Sequence, residues 1–295
     1  MSRMGDVLAG FHAAWEFESD SVLIRYERGI RTPKLFQALG ERRVPLEAIE
    51  GVTLTPGRRG TVVLRAEPRA GADPLIEAAA GQLKESGDPY RLVLPAERET
   101  LAEYYADELR ALLTESGRTE RYLVAPPEAP LQFKAYDGKA SFDGKAVSFR
   151  WSWTGASSAK WKAGDQSFPV ADLGGVEWRS PEMFEGYLRL LPRDADASAA
   201  AAAAPAVPQA DQDPAAVVFG LGYGPVHESL PFAAAVLAAV RERGASAPVP
   251  VAVPAPRRDP ADIAERIRHL GELHQQGLVT DEEFSSKKAE LLAEL

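Results

Sequence analysis

The chain has no cysteine. That excludes structural disulfides, thiolate catalysis, iron–sulfur clusters and cysteine-based zinc sites. Histidine is scarce, with His12, His227, His269 and His274 the full set. His269 and His274 are five apart, which on a helix points them to different faces rather than at one metal. His227, beside Glu228 near a helix start, reads as a capping or surface residue. No apolar run reaches the roughly 18 to 20 residues that span a bilayer. The Ala199–Ala204 run is short and closed by Pro205. The opening MSRMGDVLAGFHAAWEFESD lacks the apolar core of a signal peptide, so the expected location is the cytoplasm. The net charge of −9 disfavours nucleic acid and extended anionic surfaces as default partners. No Gly-x-Ser-x-Gly elbow or Gly-Lys-Ser/Thr phosphate loop is present, and Gly220–Pro225 reads as a turn between a strand and a helix. No catalytic residue, cofactor, metal site or small-molecule substrate is expected.

The 295 residues carry an internal repeat. FESDSVLIRY at Phe17 matches FDGKAVSFRW at Phe142, and VPLEAIEGV at Val44 matches FPVADLGGV at Phe168. The separation is about 125 residues in each case. Both copies continue in the same order: a strand-like run (TVVLRAEPRAG, YLRLLPRDADA), an insertion, an Asp-Pro and strand (DPYRLVLP, DPAAVVFG), then a helix. Glu18–Ser21 and Asp143–Lys145 are expected to turn hairpins. Pro45 and Pro169 mark bends, because proline cannot donate inside a ladder. Gly51 and Gly175 are placed at one shared backbone kink. In the helix from Glu99, Leu101, Tyr105, Leu109 and Leu112 are expected on the buried face. Trp151 and Trp153 are expected on one face of a single strand.

This reads as a β-rich α+β chain with copy 1 at 5–118, a linker at 119–130 and copy 2 at 131–242. An Ala/Pro-rich insertion, expected to be disordered, covers 194–213, where acid pairs such as Asp211 and Asp213 would have no scaffold to fix them. The first copy's insertion, AGADPLIEAAAGQLKESGDP, is expected to hold a short helix. Copy 1 also carries a basic stretch, and Arg25, Arg28, Arg31, Arg42 and Arg43 form a candidate ligand rim for a phosphate-bearing lipid or acidic peptide. The plainer reading is a solvated sheet edge.

A Pro-rich linker at 243–260 leads to a helical hairpin at 261–295. Gly277 stops its first helix and Thr280–Glu283 forms a capping box for the second. Ile263, Ile267, Leu270, Leu273, Leu278, Phe284, Leu291 and Leu292 form apolar stripes too small to bury one another in two short helices. The hairpin therefore needs a partner surface, and self-association through 261–295 is expected.

The order of elements, with VPLEAIEGV and FPVADLGGV as its signature, resembles the pleckstrin-homology-like fold. More narrowly it is similar to a bacterial family of unknown function built from tandem domains of that type. The spacing of Leu270, Leu273, Gly277, Leu278, Val279, Thr280, Glu283, Phe284, Lys287, Lys288, Leu291 and Leu292 resembles the short C-terminal domain called SHOCT. The resemblance implies a curved antiparallel sheet or partly open barrel capped by one helix, twice over, and an oligomerisation or recruitment role for the tail. The expected function is a non-enzymatic scaffold or adaptor with a protein partner. A peripheral membrane module using the basic rim of copy 1 is the rival reading.

Overall fold

The computed structural model describes residues 6–193 and 209–246. Copy 1 opens with an antiparallel meander of β1 (Asp6–Ala9), β2 (Ala13–Phe17), β3 (Ser21–Tyr26) and β4 (Glu41–Pro45). A three-stranded sheet follows, made of β5 (Ile49–Pro56), β6 (Thr61–Pro68) and β7 (Arg91–Pro95), and helix α3 (Glu99–Leu112) closes the copy. Two short helices sit inside connections, α1 (Lys34–Leu39) between β3 and β4 and α2 (Pro74–Ala79) between β6 and β7.

Copy 2 repeats the plan. Its meander is β8 (Leu131–Lys134), β9 (Gly138–Phe142), β10 (Ala146–Trp151) and β11 (Gln166–Pro169), with α4 (Ser158–Ala163) before the last strand. Then come β12 (Leu173–Arg179), β13 (Tyr187–Pro192), β14 (Ala216–Val218) and the closing helix α5 (Val226–Ser246). The described strands thus form four antiparallel sheets, two per copy.

The repeat extends to single hydrogen bonds. After the bends at Pro45 and Pro169, the Leu46 amide donates to the Asp20 carbonyl and the Val170 amide to the Lys145 carbonyl, each at 2.8 Å. The next strand of each copy carries a register shift at the expected glycine, between Ile49 and Gly51 and between Leu173 and Gly175. Asp88 accepts from the Tyr90 amide at 3.0 Å and from Arg65 at 3.0 Å. Asp213 accepts from the Ala215 amide at 2.8 Å and from Arg189 at 2.9 Å. The two sheets of each copy are stitched by the same bond, Phe11 amide to Val93 carbonyl at 2.7 Å and Tyr136 amide to Val218 carbonyl at 2.9 Å.

Three local expectations change. α3 buries Ala102, Ala106 and Leu109, while Leu101 and Leu112 stand exposed. The small side chains let the helix lie close on its sheet, which rotates the larger ones outward. β10 ends at Trp151, so Trp153 belongs to the following turn and not to the strand. A Cβ at Gly155 would lie 2.2 Å from the Tyr136 carbonyl oxygen, and that close approach bends the chain away after Trp151. Asp213, expected at the edge of an unstructured insertion, is buried and held by Arg189. Residues 194–208 of that insertion lie outside the described residues.

Each copy has its own core, and copy 1 adds side chains to that of copy 2. α2 of copy 1 packs on β12 of copy 2, and Leu75, Ala78 and Ala79 join the cluster containing Phe232, Val236 and Val240 of α5. The Gln82 side chain donates to the Trp178 carbonyl and accepts from the Ser180 amide, both at 2.9 Å, as a neighbouring strand would. Arg241 pairs with Glu77 at 2.6 Å and stacks over Tyr122 at 3.9 Å. Copy 1 covers the outer side of α5, which is why that helix is apolar nearly all round from Leu230 to Val240. The described residues up to 245 form one compact unit.

Candidate functional site

The basic rim expected on copy 1 is largely neutralised. Arg25 pairs with Glu16 at 2.6 Å and with Glu41 at 3.8 Å. Arg43 pairs with Glu18 and donates to the Ser21 hydroxyl at 3.1 Å. Arg42 is not on the rim at all. Its guanidinium is buried and pairs with Asp73 at 2.8 Å. Asp73 also accepts from the Leu75 amide, capping α2, and from the Tyr90 hydroxyl at 2.7 Å. Burial and the neighbouring carboxylate push the Tyr90 hydroxyl pKa well up, so it stays a donor. Arg42 faces inward because β4 alternates, with Arg42 and Val44 in and Glu41 and Arg43 out. Arg28 and Arg31 remain exposed in the connection before α1.

Two surfaces stand out instead. The first is a groove of about 830 Å³ between the copies. Leu35 and Leu83 of copy 1 and Met183, Phe184, Leu221 and Tyr223 of copy 2 line it. Phe184 and Leu221 are 82% and 102% exposed at its lips. His227, also on the wall, has its pKa lowered by burial, which favours the neutral ring.

The second is the end of copy 2 that carries the β8–β9 turn and α4. Lys160 on α4 is fully buried and donates to Asp137 at 2.5 Å and to the Ala210 carbonyl at 2.7 Å. Its ammonium lies 5.0 Å from the Trp151 ring. Asp137 in turn accepts from the Val218 amide at 3.0 Å. Burial raises the Asp137 pKa, and Lys160 acts against that rise. The pair ties four chain segments together, and its polar atoms are spent on one another and on the Ala210 carbonyl and Val218 amide. Outside it stand Trp153, 81% exposed, and Trp161, ring to ring at 5.3 Å. Tyr136, at the tip of the β8–β9 hairpin, is also exposed and touches Tyr223 edge to face at 6.2 Å.

One row behind these aromatics lie three cations. Lys134 on β8 is directly opposite Lys139 on β9, which is directly opposite Arg150 on β10. All three are exposed on the outer face of the sheet. Arg150 approaches Asp165 at 3.5 Å, while Lys134 and Lys139 have no ion pair among the described residues. In copy 1 the same register positions are Ala9, Ala14 and Arg25. Sequence reasoning missed this row because its members are 5 and 11 residues apart. The repeat held the signal, since aligning the copies sets Lys134 and Lys139 against alanines.

Among the described residues no group of three or more His, Asp or Glu side chains is placed to hold a metal. No helix there is long and apolar enough to cross a membrane. The tail residues Ile263, Ile267, Leu270, Leu273, Leu278, Phe284, Leu291 and Leu292 lie outside the described residues.

Fold and repeat together define a tandem β-rich protein whose first copy packs into the core of the second. The chain belongs to the family described as "Domain of unknown function (DUF4429)", which matches it twice, at residues 15–110 and 140–237. The family described as "Short C-terminal domain" (SHOCT) matches residues 265–292. No curated protein matches the chain.

Proposed function

We propose that the protein is a non-enzymatic cytoplasmic adaptor. Its two copies are pleckstrin-homology-like domains fused into one rigid platform, and the terminal hairpin multiplies or recruits that platform. Support for the domain type comes from a four-stranded meander, a three-stranded sheet and a closing helix in each copy. The observation that carries the binding role is the inter-copy groove, where Phe184 and Leu221 stand in water beside an apolar wall. Large side chains exposed around a concavity mark an interaction site, and they would act as anchors for an apolar segment of a protein partner. Association through the tail would strengthen each weak contact by raising effective concentration.

The test is a photo-crosslinking residue at position 184 in the full-length protein in cells, with a matched residue at exposed position 103 on α3. A discrete protein adduct from 184, lost in Leu221→Asp, is expected. The same adducts from both positions, or none from 184, would contradict the groove as the binding site.

A further inference from the structure

We propose that the β8–β9 turn end of copy 2 docks on an anionic lipid surface, with Lys134, Lys139 and Arg150 against phosphate headgroups and Trp153 in the interfacial layer. The three cations line no part of the groove of the adaptor reading, which the site meets where Tyr136 touches Tyr223. Like charges directly opposite on neighbouring strands repel and destabilise the sheet. The fold does not require them, since copy 1 builds the same two hairpins with Ala9 and Ala14 at the first two positions. Even the shared arginine differs. Arg25 is paired with Glu16 at 2.6 Å, whereas Arg150 has only the looser contact with Asp165. Asp137, the acid of the hairpin beside the row, is buried against Lys160 and does not neutralise it. Two lysines with no ion pair among the described residues, beside a loosely paired arginine, on a chain of net charge −9 are a local feature that an external anion would stabilise.

The aromatic residues say which anion. Trp153, Trp161 and Tyr136 lie beyond the last cation row at the same end of the copy, with Lys162 next to Trp161. An amphipathic aromatic tip with a cationic collar one residue row behind it matches a bilayer's headgroup region. A nucleic-acid strand fits less well. The row spans three strands, about 10 Å, too short a track for a longer polyanion. The Gln132, Ser141 and Ser148 row farther along the sheet is uncharged and extends no cationic track.

The test uses the full-length protein and vesicles of phosphatidylcholine with a graded fraction of phosphatidylglycerol, followed by sedimentation. Binding is expected to rise with the anionic fraction and fall with salt. Lys134→Ala/Lys139→Ala/Arg150→Ala should bind on the order of a hundredfold more weakly, with thermal stability kept or raised because like-charge repulsion is gone. Arg28→Ala/Arg31→Ala/Arg58→Ala removes the same formal charge from copy 1 and should bind like the parent. Trp15, Trp151 and Trp178 are buried, so quenching by brominated lipid reports Trp153 and Trp161. It should drop in Trp153→Phe. Four results would each overturn the proposal: no pelleting at low salt, equal loss in the copy 1 triple, full competition by soluble glycerophosphate, or tighter binding to a single-stranded oligonucleotide than to vesicles.

Discussion

Replacing Lys160 by Met keeps the length of the side chain and deletes its charge at the most enclosed ionic site of copy 2. The wild-type ammonium is fully buried and satisfies Asp137, 2.5 Å away, and the Ala210 carbonyl. Removing one partner of a buried pair strands the other and costs about 3–5 kcal/mol. With a urea slope of about 3 kcal/mol/M, the unfolding midpoint of Lys160→Met should fall by about 1–2 M. The pH dependence has a definite sign. Burial already raises the Asp137 pKa, and losing Lys160 raises it further. An acid with a raised folded pKa binds more protons folded than unfolded, so its penalty is full above the folded value and vanishes below the unfolded one. The gap between variant and parent should therefore shrink on acidification. Lys160→Met/Asp137→Leu removes the stranded charge and should recover much of the loss. The assay is urea denaturation near neutral and mildly acidic pH, with limited proteolysis around Ala210 as a local readout. A midpoint shift under about 0.3 M at neutral pH, or a gap that widens in acid, would refute the argument.

Other consequences follow from the repeated contacts. Arg189→Ala should cost about 3 kcal/mol, because both it and Asp213 are largely buried; the same change at half-exposed Arg65 should cost at most about 1 kcal/mol in urea denaturation. Asp73→Ala removes the α2 cap and strands Arg42, so it should cost about 3–5 kcal/mol and raise amide exchange in α2. Gly155→Ala forces its Cβ against the Tyr136 carbonyl, and should shift Trp153 fluorescence and lower stability by about 1–3 kcal/mol. Leu101→Ser, on the exposed face of α3, should change stability by less than about 0.5 kcal/mol.

Features set by neighbouring residues were legible in the sequence. The turn at Asp143–Lys145 forms where the Asp143 carboxylate accepts from the Lys145 and Ala146 amides. The prolines at 45 and 169 end their strands, and the glycines at 51 and 175 take the bulge, because each is a property of one or two residues. The short helix in the first insertion follows from Asp73 and Pro74, a cap and a first-turn proline. Facing relations were harder. Arg42 and Arg43 are adjacent in sequence, and strand alternation put one against Asp73 and the other on Glu18. The outward turn of Leu101 and Leu112 depends on how closely Ala102 and Ala106 let α3 approach its sheet. The Lys134–Lys139–Arg150 row needs the pairing register of three strands before it exists as a row. Trp153 was misplaced because the end of β10 is decided by a contact between Gly155 and Tyr136, on another strand connection.

The proposed adaptor role joins a two-copy body that would bind a partner to a tail that would multiply it. Light scattering on the full-length protein eluting from a sizing column, beside Phe284→Glu/Leu291→Glu, tests this most directly. An assembly of defined stoichiometry that falls to monomer in the double variant is the predicted result. A parent and variant of identical mass would contradict self-association through the terminal hairpin.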